Sequence, residues 1–549
     1  MERAPALQSD AASPTGEPWT DPAVWELIAR GGARAVHHIE SPAMIGLCRR
    51  CQARDIDGLI AIVSVIRPGA ANENKKAEFV RRYQGLAPVT YPHPSLEPWL
   101  ESTFGLVVYE EHILQICEYF AGLPAGRADV LRRALGKNKE PVIAEIGQEF
   151  AACARGRGHG EAAIAEVWKL AAGFSGYAFC KAHSTAYGVE AYQAAWLKRY
   201  FPIDFMAAVL SNGKGFYAPL VYVLECHRLG IPLLPPWVNE PGPGFNVVHA
   251  SSEPEGGTAG RGPQKRVGDT PPLPAWIEGM RQGSRGENAI RVPVTRVKGL
   301  TERTKERLGR ERARGEFRSL ADFYRRVTPA NDEMEALIRV GALDGFGKPR
   351  TTQFWDFQFL RCSFGDATDP DQGWLLPPPG ADRLPEMPRR EPSRRERLLA
   401  ETELLDFPVG GHPLELYDDI AWETYCPVAE LGRHLGESVV TCGLVIEQRI
   451  HHQVTGEPMK FLTLADWTGM VETELFAPTY KSYGLATIRY PVLEVTATVE
   501  PDENGSGYSL RVHRAGKPRK IPAGGAARAG AGGRPGRDRQ TDSGQPRRE

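Results

Sequence analysis

Between residues 21 and 249, apolar positions recur at three- and four-residue intervals in "DPAVWELIARGG", "TFGLVVYEEHILQICEYFAG", "RADVLRRALGK" and "GEAAIAEVWKLAAGF". That spacing gives a helix one buried face. Period-two alternation is scarce there, so the first region is predicted to be mostly α-helical. "STAYGVEAYQAAWLKRYF" departs from the one-sided pattern, because Tyr187, Ala191, Tyr192, Ala194, Ala195 and Trp196 make it apolar on nearly every side. This predicts a helix buried inside a sizeable domain. From about residue 437 the period changes. "SVVTCGLVIEQRIHHQ", "KFLTLADWTGMVETELF" and "YPVLEVTATVE" alternate apolar and polar residues, with turn residues at Thr455-Gly456 and Asp466 to Gly469. Short strands at this spacing predict a small β-barrel.

Glycine, proline and charge divide the chain further. Residues 1–20 are small, polar and proline-containing, and are predicted to be disordered. Residues 250–289 read as a linker, and residues 363–436 as a proline-rich connector and helix. Between them, residues 290–362 begin as a strand or short helix, turn tightly at Lys298-Gly299 and continue as helices to about 346. The last segment, 516–549, holds nine Lys or Arg against three acids and is predicted to be a flexible basic tail. The fold expected is multidomain: mostly α up to residue 362, then a small all-β barrel of oligonucleotide-binding (OB) type over 437–515.

Composition adds little by itself. The 549 residues carry 67 Lys and Arg against 68 Asp and Glu, a balance that neither favours nor excludes a polyanionic partner. Nine irregularly spaced cysteines predict a reducing compartment. Cys48 and Cys51 form a C-x-x-C with no second pair at zinc spacing, so they read as two thiols on a helix. No apolar run reaches the roughly 18 residues of a membrane span, and the N-terminus has no signal core, which predicts a cytoplasmic protein without a membrane partner.

Candidate chemistry lies where cations meet helix ends. Lys181, His183 and Ser184 stand at the mouth of the buried helix, where unpaired amides and the helix dipole favour an anion. The bland reading is a capping serine beside a solvated lysine. Arg132, Arg133, Lys137 and Lys139 crowd the C-terminal half of "ADVLRRALGKNKEP", either as complements of the dipole or, being more than it needs, as phosphate ligands. The turn "VKGLTERTKERL", with Lys298, Gly299 and Lys305, resembles the hairpin between two helices that grips a nucleic-acid backbone, although Thr301 replaces its second glycine. In the barrel, Lys460, Phe461, Trp467, Phe476, Tyr480 and Tyr483 could hold a single strand or could be core.

"HHIESPAMIGLCRR", "DIDGLIAIVSVIRPG", "YEEHILQICEYFAGLPAGRADVLRRALGKNK", "GYAFCKAHSTAYGVEAYQAAWLKRYFPIDFMAAVLSN" and "EALIRVGALDGFG" resemble the alpha subunit of bacterial DNA polymerase III, the C-family polymerase. "FLTLADWTGMVETELF" resembles the OB barrel of the same subunit. The resemblance implies a fingers domain over 21–249, a helix-hairpin-helix region over 290–362 and the barrel over 437–515. It makes Arg132, Arg133, Lys137, Lys139, Lys181, His183, Ser184 and Tyr187 candidates for contact with a nucleoside triphosphate or DNA backbone. It further implies template-directed synthesis in replication or error-prone repair, with template-primer DNA, deoxynucleoside triphosphates, and a sliding clamp or other replication and repair proteins as partners.

The family's metal-binding aspartates lie in a palm whose sequence precedes the matching segments. No catalytic residue or metal ligand is therefore assigned in this chain, and the Mg²⁺ belongs to the complete polymerase. Asp55 and Asp57 fall on a fingers segment and read as helix-start acids. The ending soon after the barrel resembles the error-prone branch. "QFWDF", Gln353 to Phe357, is either a clamp peptide or a buried helix, and His37-His38 stand where relatives carry an aromatic residue and a glutamine. The rival expectation is a non-catalytic DNA-binding accessory protein or a truncated remnant.

Overall fold

The computed structural model describes residues 19–66, 73–174, 180–213, 215–240, 242, 244–249, 288–364, 390–453, 455–501 and 507–521. Residues 1–18, most of the 250–289 linker, the proline-rich part of the connector and the tail beyond 521 lie outside the described residues.

Helix starts follow capping chemistry. α1 (Pro22–Ala29) and α2 (Pro42–Cys51) each open on a proline, after Asp21 and Ser41, whose side chains accept the Ala23 and Met44 N–H groups. Cys48 and Cys51 are buried thiols on α2. α3 (Ile56–Val65) is capped by Asp55 and buried from Gly58 onward. α4 (Glu73–Tyr83) follows. α5 (Glu110–Gln115) widens into a π-helical turn at Ile116–Ala121, and with α6 (Ala125–Gly136), α7 (Glu140–Gly156) and α8 (Glu161–Ala172) it encloses a core of Phe120, Leu131, Ile146, Phe150 and Val167.

The long helix expected from its apolar pattern is α9 (Lys181–Tyr200), followed by α10 (Pro202–Asn212) and α11 (Pro219–Leu229). It is not buried all round: Ser184, Gly188, Ala191, Tyr192, Ala195 and Lys198 form one buried face, and Leu197 and Tyr200 are exposed on the other. α9 lies close against α3: a Cβ on Gly188 would come within 2.7 Å of Ile60 Cγ1, so glycine is what permits the approach.

A small sheet of β1 (Leu233–Leu234), β2 (Asn246–His249) and β3 (Asn288–Arg291), ordered β1-β3-β2, precedes α12 (Glu302–Ala313), α13 (Leu320–Val327), α14 (Asn331–Arg339), α15 (Arg350–Phe364) and α16 (Arg394–Leu405). One continuous core joins Val24, Ile60, Ala191 and Val221 to Ile290, Leu308, Phe323, Leu337 and Leu405, so the hairpin helices pack into the first helical region. "QFWDF" lies on α15 with Gln353 and Phe357 buried, the buried-helix alternative.

The barrel closes as β4-β5-β6-β8-β7. Its strands are β4 (Ser438–His452), β5 (Pro458–Ala465), β6 (Met470–Leu475), β7 (Val492–Pro501) and β8 (Tyr508–Gly516). Every pair is antiparallel except β6 with β8, and α17 (Ala477–Tyr483) lies between β6 and β7 in the chain, an OB-type arrangement. Among the described residues no helix is long and apolar enough to cross a membrane.

The C-terminal half of α9 is pinned by a buried charge. Lys198 has no exposed surface, and its Nζ donates to the Gly32 carbonyl at 2.7 Å, the Arg34 carbonyl at 2.5 Å and Glu225 Oε1 at 2.6 Å. Arg228 Nε donates to Glu225 Oε2 at 2.6 Å. Burial alone would raise the Glu225 carboxyl, but Arg228 and Lys198 more than offset it and hold it well below the ordinary carboxylate range. Glu225→Leu strands the Lys198 ammonium and is expected to cost about 3–5 kcal/mol of unfolding free energy in chemical denaturation. Lys198→Met leaves Glu225 on Arg228 and is expected to cost less.

Candidate nucleic-acid interface

The first turn of α5 organises the basic residues. Its two consecutive acids face different helices. Glu110 Oε2 accepts Arg132 Nη1 of α6 at 2.6 Å, while Glu111 Oε2 accepts the backbone N–H of Lys181, the first residue of α9, at 2.8 Å. Arg132 also donates to Asp129 at 3.0 Å, and Arg133 pairs with the same carboxylate at 2.5 Å. The Lys181 ammonium stands 5.7 Å from the ring centre of Tyr109, the residue preceding Glu110. The Arg132 guanidinium and the first amide of α9 are therefore held by adjacent residues at the start of α5. Lys137 and Lys139 are exposed just past the end of α6. His112 is buried and accepts the Val108 N–H at 3.1 Å; burial first, and the Lys181 charge second, push its imidazole down to about 3, so it stays neutral.

The mouth of α9 differs from its sequence-based expectation. The helix begins at Lys181 with Cys180 as the preceding cap residue, three residues before Ser184. Ser184 is thereby neither a cap nor at the mouth. It is fully buried one turn in, with its hydroxyl 2.5 Å from Ser64 Oγ of α3. His183 packs on Tyr187 at 4.0 Å between ring centres, and Tyr187 stacks on His38 at 3.6 Å and 14°. These two residues therefore run along the flank of α9 towards the loop before α2.

Lys181 also borders an open cleft with Asp55, Asp57, Glu101, Ser102 and Phe104. Asp55 accepts the Gly58 N–H at 2.6 Å and the Tyr83 hydroxyl at 3.0 Å, as a helix-start acid does. Asp57 sits in the first turn of α3. Both carboxylate oxygens of Asp55, the cap residue before α3, are taken up by these hydrogen bonds, and among the described residues the two acids join no group of three metal-capable side chains within ligating reach of one another. Among the described residues, the group of three or more metal-capable side chains that converges is His37, His38 and Glu190, with two nitrogens and one carboxylate. A pair of Mg²⁺ ions calls for oxygen ligands, which these residues do not fit.

In the hairpin, Gly299 makes the turn at φ 86° and leaves open space where a Cβ would stand. Its flanks are engaged. The Lys298 N–H donates to the Leu404 carbonyl at 2.9 Å, and its ammonium pairs with Asp406 at 2.5 Å. Lys305 pairs with Glu302 at 2.8 Å. Thr301 caps α12, and the buried Glu333 of α14 accepts the Thr301 N–H at 2.6 Å, the Thr304 hydroxyl at 2.6 Å and the Ala330 N–H at 2.7 Å. An internal carboxylate thus occupies an amide that such hairpins offer to a phosphate.

The barrel candidates divide. Lys460 is buried and donates to Thr487 at 2.7 Å, and Tyr480 and Tyr483 pack on the barrel core. Trp467 stacks on His412 at 4.7 Å. Phe461 and Phe476 are half-buried beneath the guanidinium groups of Arg449 and Arg511, at 5.3 and 5.1 Å.

Sequence reasoning missed Glu110, Glu111 and Glu333. The only local signal was a doubled acid opening an apolar helix.

Residues 8–158 match the family described as the bacterial DNA polymerase III alpha subunit finger domain, and residues 230–353 match a helix-hairpin-helix motif. The chain is 28% identical over 469 residues to the DNA polymerase III subunit alpha of Aquifex aeolicus, covering 84% of this chain and 36% of that protein. It is 30% identical over 519 residues to an error-prone DNA polymerase of Symbiobacterium thermophilum, covering 90% and 46%. Against the DNA polymerase III subunit alpha of Thermus aquaticus it is 30% identical over 502 residues, covering 88% and 38%. The chain spans between about a third and a half of the length of these relatives.

Glu333 gives the hairpin a pH signature. Burial by itself would raise its carboxyl, but the donors from Thr304, Thr301 and Ala330 hold it below its ordinary value. A carboxyl held down in the folded state contributes stability above its unfolded pKa of about 4.3, and that contribution is lost as pH falls through the folded value. Glu333→Gln is therefore expected to cost about 1–3 kcal/mol at neutral pH. The gap from the parent protein should shrink below about pH 4 in denaturant titrations.

Proposed function

We propose that this chain, which corresponds to a C-terminal portion of bacterial DNA polymerase III alpha subunits, holds deoxynucleoside triphosphate and primer–template DNA for template-directed synthesis. The observation that carries this reading is the hold of adjacent residues at the start of α5 on the Arg132 guanidinium, through Glu110, and on the first amide of α9, through Glu111. Glutamates that fix the side chain of Arg132 and the helix end at Lys181 preorganise positive charge, which is how electrostatics assist phosphoryl transfer. Arg133, Lys137 and Lys139 extend the same positive surface, and His183 and Tyr187 flank it.

Nucleotidyl transfer with two metal ions needs carboxylates that hold both ions, and among the described residues Asp55 and Asp57 join no converging group of three metal-capable side chains. The role proposed for this portion is therefore binding; the Mg²⁺ chemistry, the clamp and other replication or repair partners are assigned to the longer protein. The same observation supports a second reading, a DNA-binding protein without catalysis of its own. Primer extension by the chain, with and without a separately supplied palm, distinguishes the two: synthesis only with the palm supports the polymerase role, and synthesis in neither case supports the second.

Contacts to phosphate make binding sequence-tolerant and salt-dependent. Anisotropy titrations of primer–template DNA are expected to give a linear fall of log K with log salt. Arg132→Ala or Lys137→Ala should reduce that slope by about one each. Since Arg132 is part-exposed, its loss should cost under about 1 kcal/mol of stability. Binding that ignores both substitutions would contradict the assignment.

A further inference from the structure

The geometry points to a divalent transition-metal site, of the zinc or cobalt class, built from His37, His38 and Glu190. Nδ1 of His37 lies 3.3 Å from Glu190 Oε1, and Nε2 of His38 lies 2.9 Å from Glu190 Oε2. All three donor atoms lie within 4.8 Å of one another. Zinc bonds of about 2.0–2.2 Å to nitrogen and oxygen put neighbouring donors about 3.3–3.6 Å apart in a tetrahedron, so the three donors need adjustments of about an ångström or less to meet one ion. Each imidazole now sits on a different oxygen of Glu190, so the rings and the carboxylate must turn towards one ion, which the 58% and 55% exposure of the His37 and Glu190 side chains permits.

Neighbouring residues on a regular backbone do not ordinarily aim their side chains at one point. Here they do because the loop between α1 and α2 passes through the left-handed region at Ala35, φ 67°, and His38, φ 66°. That path stacks the two rings at 4.0 Å and sets both against a carboxylate more than 150 residues away on α9. Two imidazoles and one carboxylate suit Zn²⁺, Co²⁺ or Ni²⁺ and do not suit Mg²⁺ or Ca²⁺, which take oxygen. The exposure of His37 and Glu190, 58% and 55%, leaves room for water to complete the coordination.

Such an ion would clip the loop before α2 to the middle of α9. It would also fix the stacked series His37, His38, Tyr187 and His183, which leads towards the mouth of that helix. The inference is independent of the polymerase reading, because it needs no nucleotide and no DNA.

The test is titration of the full, tag-free chain with Co²⁺, followed by visible absorption and by thermal melting. One bound Co²⁺ with nitrogen–oxygen bands and no thiolate charge transfer is expected, together with a rise in Tm. Affinity should fall at least about tenfold in His37→Gln and in Glu190→Gln, both exposed positions whose metal-free melting should match the parent. Binding unchanged in both variants, or a thiolate band showing that cysteines hold the ion, would overturn the site.

Discussion

Lys198 is the constraint from which the arrangement of the first half follows. An ammonium with no exposed surface must find every partner inside the protein. It takes two carbonyls from the loop after α1 and one carboxylate from α11, at 2.5–2.7 Å. Because Glu225 is also held by Arg228, the pair is a three-charge network that tolerates one orientation of α9. With its C-terminal half fixed in this way and Gly188 seated on Ile60 of α3, α9 has no freedom in where its first turn points.

That first turn arrives at α5. Lys181 brings a backbone amide to Glu111, and one residue earlier Glu110 receives the guanidinium of α6. Adjacent glutamates thus tie two helices from different parts of the sequence to the start of α5, one through the Arg132 guanidinium and the other through the Lys181 amide. The restraint cuts both ways at α6, where Arg132 and Arg133 already have carboxylate partners, whereas Glu111 holds the Lys181 backbone and not its ammonium. The same logic recurs in the hairpin, where Glu333 and Asp406 occupy the Thr301 amide and the Lys298 ammonium. Both places combine fixed geometry with partly neutralised charge.

What was legible in the sequence was what is local. The helical character of α9, the glycine-marked turn at Lys298-Gly299 and the alternation of the barrel strands each reflect neighbours within a few residues, and each yields the element seen, although α9 buries one face and not its whole circumference. The matching of fingers and hairpin segments to known families rests on the same local strings. What escaped depends on distance along the chain. Ser184 looked like a cap because its partner, Ser64, is 120 residues away. Glu110 and Glu111 looked like ordinary first-turn acids until α6 and α9 were placed beside them. The continuous core from Val24 to Leu405 was hidden because buried faces of separate segments do not show which faces they meet.

The most direct measurement of the central claim is amide hydrogen exchange on the chain with and without primer–template DNA and deoxynucleoside triphosphate. The account predicts added protection at three separated stretches together: Tyr109 to His112, Leu135 to Lys139 and Lys181 to Ser184. Protection confined to the hairpin and the barrel, with these three unchanged by either ligand, would contradict it.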